Sequence, residues 1–382
     1  MQRRRILKTL AGASALPLWS LGAPTGAQAQ TEGPLVLGQS AAFSGPNAQL
    51  GQQYNLGAQL YFDKLNGSGG INGRQVELRK LDDGYEPDRC AANTRQFISD
   101  GVFALFGYVG TPTAVAALPL ATEAKVPLFA PLTGAQALRD PFNRYVVHVR
   151  ASYFDETAAI VKQATAVGIQ KIAVFHQNDG YGQAGLQGVK RALETLKTEP
   201  VAIGTVERNS TDVEAALAAI LPKKPEAIVQ VGTYKACAVF VRQARKAGFM
   251  GTFYNVSFVG TQALLDELGT MAAGVVVSQV MPFPYSSVSP LSGEYLAALA
   301  DNNKAGIAPN YSGMEGYVAA RTFTEVAKRT GKGLTREGFL NTLQNMGPLN
   351  LNGFTLTYGP QKNTGSTFVD LTLLTKDGRV RR

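Results

Sequence analysis

Residues 102–119, VFALFGYVGTPTAVAALP, constrain this chain more than any other stretch. Phe103-Ala104-Leu105-Phe106 reads as a buried strand, a short unbroken apolar run that stops at Gly107. A polar loop with Gly110, Thr111 and Pro112 follows, and then an apolar helical segment over 114–124. A strand that feeds a helix through a small-residue loop leaves free backbone N–H groups at the gap between them. In an open α/β sheet that gap is where an anion is held.

The same rhythm runs through the rest of the chain. Strands are expected over 35–40, 76–79, 126–131 and 145–150, and helices over 48–65 and 87–97. The helix over 48–65 should stop at Gly67-Ser68-Gly69-Gly70, and Pro87 suits a helix start. A second series follows, with strands over 171–176, 201–206, 227–232, 252–256 and 274–280. Its helices are expected over 155–167, 185–196, 212–220, 236–247 and 261–268. Met281-Pro282-Phe283-Pro284-Tyr285 then interrupts the pattern, as a crossing between lobes would. Helices over 291–299, 315–329 and 335–343 follow. Residues 354–358 and 368–374 read as a terminal antiparallel pair. Short strands alternating with helices of about three turns imply parallel sheets with helices on both faces.

The N-terminus reads as a targeting segment. Arg3, Arg4, Arg5 and Lys8 form a positive head, 10–21 is a modest apolar run, and Ala27-Gln28-Ala29 is a small-x-small cleavage pattern. A signal peptide over 1–29 is expected, with the mature chain starting at Gln30 in the periplasm. Arg3-Arg4-Arg5-Ile6-Leu7-Lys8 also resembles the twin-arginine export motif, with Ile6 in place of the commoner Phe. The apolar run is too short to span a bilayer. Cleavage would remove four positive charges and lower the formal net charge from +9 to +5. The remaining charges are mixed in sign, so no nucleic-acid partner is expected. Cys90 and Cys237 are expected in different lobes as isolated thiols, and with only two histidines no metal site is suggested.

Several segments in this order and spacing resemble the periplasmic substrate-binding proteins of bacterial ABC importers, of the branched-chain (leucine/isoleucine/valine) amino-acid class. They are Ala42-Phe43-Ser44-Gly45-Pro46, Gly69-Gly70-Ile71-Asn72-Gly73-Arg74, Leu81-Asp82-Asp83, Phe106-Gly107-Tyr108-Val109-Gly110-Thr111-Pro112-Thr113 and Asn178-Asp179-Gly180-Tyr181-Gly182. The resemblance implies the two-lobed type I α/β fold, each lobe a mostly parallel sheet flanked by helices, with three hinge crossings. By analogy the crossings fall near 148–152, 279–283 and 356–367. The first lobe would be 31–150 plus 284–356, and the second 151–280 plus 357–382. The implied activity is capture of a small amino acid or organic carboxylate by a monomer. The protein then delivers it to an inner-membrane ABC permease, with no chemistry and no cofactor.

The resemblance also implies a ligand set. Thr111 matches a serine that holds an α-carboxylate, and Thr133 lies in a second contact segment. Tyr181 matches an aromatic residue reaching from the second lobe, Tyr234 sits at another crevice position, and Tyr108 could cover the ligand from beside the first loop. For each tyrosine a half-buried core position is the alternative. Asp179 reads as a loop cap. Amino-acid-binding relatives pair the ligand ammonium with an acid in the second lobe. The corresponding 254–258 segment offers Asn255 and Ser257 but no carboxylate. Either the ligand lacks an ammonium, or another acid such as Asp83 or Glu315 serves. A periplasmic sensor feeding a signalling receptor is the rival function. An enzyme is not expected: no Gly-x-Ser-x-Gly nucleophile elbow stands out, and His176 near Asp179 is the only tempting base.

Overall fold

The computed structural model describes residues 33–302, 306 and 308–382. The export segment expected over 1–29 lies outside them. The chain opens with β1 (Leu35–Ala41), α1 (Ala48–Gly67), β2 (Val76–Asp82), α2 (Pro87–Ser99) and β3 (Ala104–Phe106). It continues with α3 (Thr111–Glu123), β4 (Leu128–Phe129) and β5 (Val146–Val147). These strands form one parallel sheet in the order β2-β1-β3-β4-β5.

A second series follows: α4 (Tyr153–Ala166), β6 (Ile172–Gln177), α5 (Gly180–Glu194), β7 (Ile203–Val206), α6 (Glu214–Ile220) and β8 (Ala227–Val231). It ends with α7 (Tyr234–Lys246), β9 (Thr252–Asn255), α8 (Thr261–Leu268) and β10 (Val275–Gln279). The last elements are α9 (Pro290–Asn302), α10 (Tyr311–Thr330), α11 (Arg336–Asn345), β11 (Leu349–Leu351), β12 (Phe354–Leu356), β13 (Asp370–Leu374) and β14 (Val380–Arg381). The second sheet runs β14-β13-β10-β9-β8-β6-β7, parallel except for its two C-terminal strands.

Local chemistry sets the helix starts. Ser152 and Asp155 form a reciprocal capping box on α4, Asn310 caps α10 through the Gly313 N–H, and Thr335 caps α11 through the Gly338 N–H. The Asn310 cap starts α10 four residues before the periodicity suggested. Asp179 accepts from the Tyr181 and Gly182 N–H groups and so starts α5 at Gly180, the capping role expected of it. Strands β3, β6, β8 and β10 are buried along their whole length, as strands covered on both faces must be.

The chain leaves the first sheet for the second after β5, leaves the second after β10 for α9–α11 and the separate β11-β12 pair, with α10 packed on α1, and returns to the second sheet after β12. The first and third crossings run side by side. The His148 N–H donates to Asn363 O at 2.8 Å, the Gly365 N–H to His148 O at 2.8 Å and the Tyr358 hydroxyl to the same carbonyl at 3.1 Å. His148 itself is buried, which pushes its pKa well below the usual histidine value.

One expectation fails at the C-terminus. Residues 354–358 and 368–374 do not pair with each other. β12 folds back on β11 through Asn352-Gly353, both at positive φ, the two-residue turn that closes a local hairpin. β13 instead pairs antiparallel with β10 and carries β14 on its outer edge. The nearer strand is captured by its turn, and the later one covers the edge of the second sheet.

Helices α1 and α10 cross closely over the first sheet. A Cβ on Gly57 would stand 1.8 Å from Gly313 O, and one on Gly316 2.1 Å from Tyr54 O. Below them Phe106, Phe129, Phe323 and Phe339 pack with ring centroids 4.9–6.3 Å apart. This seam has no room for a methyl group. Gly316→Ala is expected to cost about 1–3 kcal/mol through overpacking. Urea unfolding measures it, and an unchanged midpoint would disprove the tight seam.

Candidate functional site

The loops that follow the C-terminal ends of the parallel strands supply most of the groups that meet between the sheets, the usual ligand position in open α/β sheets. From the first sheet, the loop after β3 carries Gly110 and Thr111, and the loop after β4 carries Thr133. The two threonine hydroxyls lie 2.6 Å apart and both residues are buried. Thr111 is the first residue of α3, so its hydroxyl sits at that helix's N-terminus. Gly110 has φ +107, and a Cβ there would lie 2.2 Å from the Tyr85 ring. Glycine is therefore required both by the backbone and by the tyrosine on top of it.

Tyr85 follows β2 and reaches across. Its hydroxyl accepts from Gln177 Nε2 at 3.3 Å, and its ring lies 6.1 Å from Phe258. From the other side Tyr181 packs between Tyr153, at 5.4 Å, and Phe258, at 4.8 Å, with its hydroxyl donating to Gly232 O. Tyr85, Tyr153, Tyr181 and Phe258 thus form an aromatic wall with contributors from both halves. Tyr234 is buried at the start of α7; burial raises its pKa, opposed by the Gln49 backbone N–H from α1. At the rim, Asn47 donates to Asn209 at 2.8 Å. Arg208 and Asn209 donate to Glu86 at 2.9 and 2.6 Å.

A buried ionic cluster lies at the base. Arg150, just after β5, donates through Nη2 to Glu156 Oε1 at 2.8 Å and also to Ser257 Oγ. Glu156, in the first turn of α4, further accepts from the Ser257 N–H at 2.7 Å, the Ser257 hydroxyl at 3.0 Å and the Ser278 hydroxyl at 2.6 Å. Glu315 on α10 lies 3.5 Å from Arg150 Nη1, too far for a good hydrogen bond. Burial would depress the Arg150 guanidinium, but Glu315 and Glu156 outweigh it and hold it above its ordinary value. Burial pushes the Glu315 carboxyl up to about 7, against the opposing pull of Arg150. Among the described residues Arg150 Nε and Nη1, the Tyr153 hydroxyl and Glu315 Oε1 have no hydrogen-bond partner. Buried groups left so have capacity for another molecule.

Of the residues singled out in the sequence, Thr111, Thr133, Tyr181 and Ser257 belong to these groups, and Tyr234 stands at the start of α7 beside Gln49 of α1. Tyr108 does not belong to them. It is fully buried on the α2/α3 side of the first sheet with Cys90, Phe97 and Leu105, its hydroxyl 3.1 Å from Thr94 Oγ1. Gly107, at φ +61, turns the chain so that Tyr108 falls on the Leu105 face. The 254–258 segment holds no carboxylate, as its sequence shows, but another element brings one to Ser257. Glu156 comes from α4, about a hundred residues earlier, and bonds the Ser257 N–H and hydroxyl. Arg150, Glu156, Tyr85 and Tyr153 were missed, because a charge after a strand and an acid in a helix's first turn look ordinary in isolation. The Asp82-Asp83-Gly84-Tyr85 strand exit was the one available signal. His176 is buried with Nδ1 2.8 Å from Gln177 O, and both cysteines are free and buried.

The chain matches the family model described as periplasmic binding protein over residues 34–378. It is 27 % identical over 245 residues to an amino acid binding protein of Pseudomonas aeruginosa, covering 63 % of this chain and 64 % of that one. It therefore spans slightly less than two thirds of that relative's length. A solved structure of a possible leucine/isoleucine/valine-binding protein from Rhodopirellula baltica is similar with TM-score 0.87 and 36 % identity, over 91 % of this chain and 95 % of that one. A substrate-binding periplasmic protein from Ralstonia solanacearum is similar with TM-score 0.86 and 30 % identity, over 91 % and 99 %.

The buried Glu315 carries a consequence for stability. With its carboxyl raised from about 4.5 to about 7, the folded chain binds a proton there that the unfolded chain has released. Its contribution to stability is therefore expected to fall as pH rises from about 4.5 through 7. Urea unfolding of the wild type and Glu315→Gln across this window should give a difference curve that favours the variant increasingly at higher pH. A flat difference would exclude a raised Glu315.

Proposed function

This chain belongs to the periplasmic binding protein family, and from that premise we propose that it captures a small amino acid or related carboxylate between two lobes. It delivers this cargo in the periplasm to the inner-membrane permease of an ABC importer. The lobes are 31–150 plus 284–356 and 151–280 plus 357–382, and the crossings between them act as the hinge. The protein acts as a monomer and carries out no chemistry.

The observation that carries this reading is the cleft itself. Hydroxyls at a helix N-terminus from one sheet face an aromatic wall shared with the other, beside buried polar groups without partners. Thr111 and Thr133, with the first N–H groups of α3, suit a carboxylate. The tyrosines and Phe258 suit the apolar body of a small ligand, with Tyr181 and Tyr234 closing over it from the second lobe. The names of the relatives, an amino acid binding protein and a possible leucine/isoleucine/valine-binding protein, support amino acids as the first ligands to test.

Binding to the closed form alone stabilises it by mass action. In a thermal-shift screen of the mature protein, at least one amino acid or small organic acid is expected to raise Tm. No shift with any of them would overturn the capture reading. Thr111→Ala should keep its fold and lose about 10- to 100-fold in affinity for that ligand, the scale of one hydrogen bond to a charged group. Calorimetry measures this, and an unchanged affinity would remove Thr111 from the site.

A further inference from the structure

A carboxylate held at the α3 N-terminus accounts for one end of an amino acid; the nitrogen needs an acceptor of its own. Four acids near the cleft are already committed. Glu156 accepts from Arg150, Ser257 and Ser278. Asp83 accepts from the Ser40 hydroxyl and the Tyr85 N–H. Asp179 caps α5 and accepts from Gln177, and Glu86 holds Arg208 and Asn209 at the rim.

Glu315 differs from these. It is 3 % exposed, and its Oε1 has no hydrogen-bond partner among the described residues. It lines a narrow cavity with Leu50, Leu132, Ser257, Phe258 and Gln279. Gln279 spends its Nε2 on Thr261 and Thr372, and its Oε1 is also without a partner. Glu315 Oε1 and Gln279 Oε1 are thus two acceptors on one cavity that lack a hydrogen-bond partner and fit a donating group, and the Tyr311 hydroxyl on the same cavity lacks one too. Arg150 is shared between two acids: Glu156 takes Nη2 at 2.8 Å, while Glu315 Oε1 stands 3.5 Å from Nη1, close enough for charge attraction but too far for a good hydrogen bond. Arg139 spends its guanidinium on the backbone carbonyls of Thr133, Ala135, Arg150 and Ala151.

Resting on the capture reading, we propose that Glu315, with Gln279 Oε1 beside it, receives a protonated nitrogen of the ligand. The cargo is then an amino-bearing carboxylate and not a nitrogen-free acid. The counter-charge comes from α10, which packs on α1 over the first sheet, and not from the 254–258 segment where the resemblance implies an acid. The Leu50 and Leu132 side chains leave the neighbouring space apolar, which suits a compact aliphatic body.

The test compares matched probes on the mature protein. The twenty common L-amino acids are screened by thermal shift together with small organic acids. Each amino acid that binds is then titrated calorimetrically beside its 2-oxo acid, which keeps the carboxylate and side chain but lacks the ammonium. The expected result is at least tenfold weaker binding of the 2-oxo acid. Glu315→Gln should weaken the amino acid at least tenfold and the 2-oxo acid less than threefold, and Glu315→Asp should recover part of the loss. Between pH 8 and pH 6 wild-type affinity for the amino acid should fall as Glu315 takes up a proton, and Glu315→Gln should stay flat. Arg150, Arg139, Glu156 and Tyr54, the other ionisable groups facing it, are retained in every variant.

Equal binding of the two members of a pair, or unchanged affinity in Glu315→Gln, would overturn this inference and leave capture intact. So would binders drawn only from nitrogen-free acids. A screen without any binder would overturn capture, and this inference with it. Unliganded Tm reports whether each variant folds. The wild-type comparison of amino acid with 2-oxo acid decides the matter without a variant.

Discussion

The buried bond between Arg150 and Glu156 is the interaction on which the rest of the cleft depends. It joins the segment leaving the first sheet to the first turn of α4, which packs on the second. Through Ser257 and Ser278 it also fixes the ends of β9 and β10. Desolvating two charges is expensive, and removing one partner of such a pair typically costs about 3–5 kcal/mol. The pair is tolerated because Glu156 is fully satisfied: one guanidinium N–H, one backbone N–H and two hydroxyls occupy its oxygens. Arg150 is less completely satisfied: its Nε and Nη1 have no hydrogen-bond partner, and Nη1 stands 3.5 Å from Glu315 Oε1.

Around this pair the site is built by close approach. Gly110 lets the Tyr85 ring lie on the start of α3, and the seam of Gly57, Gly313 and Gly316 brings α10 down onto α1. That descent carries Glu315 to the cavity floor, 3.5 Å from Arg150. A carboxylate held there by helix packing, with an oxygen unpaired, raises its own pKa and destabilises the chain.

Much of the fold was legible because its signals are local. Apolar runs four to six residues long marked the buried strands, and the helices between them followed the three-to-four spacing. Asp179 was recognisable as a cap from its place before Gly180. The C-terminal strands were misread because residues 354–358 and 368–374 carry similar patterns, and pairing depends on which sheet edge each can reach. In the site, Thr111 and Thr133 could be found because strand-exit loops announce themselves. Tyr108 was misplaced because one left-handed glycine shifts the alternation of faces, a change that no count of residues along the strand reveals.

By itself the sequence determined two series of βα units, the loops at their strand ends and the hydroxyl at the start of α3. These follow from hydrophobic periodicity and turn chemistry over a few residues. Only the tertiary structure decided which charges meet. Arg150, Glu156, Ser257 and Glu315 are spread over more than 160 positions and come together through sheet order and helix packing. Electrostatic partnership depends on distance in space and on burial, and neither is written in local spacing.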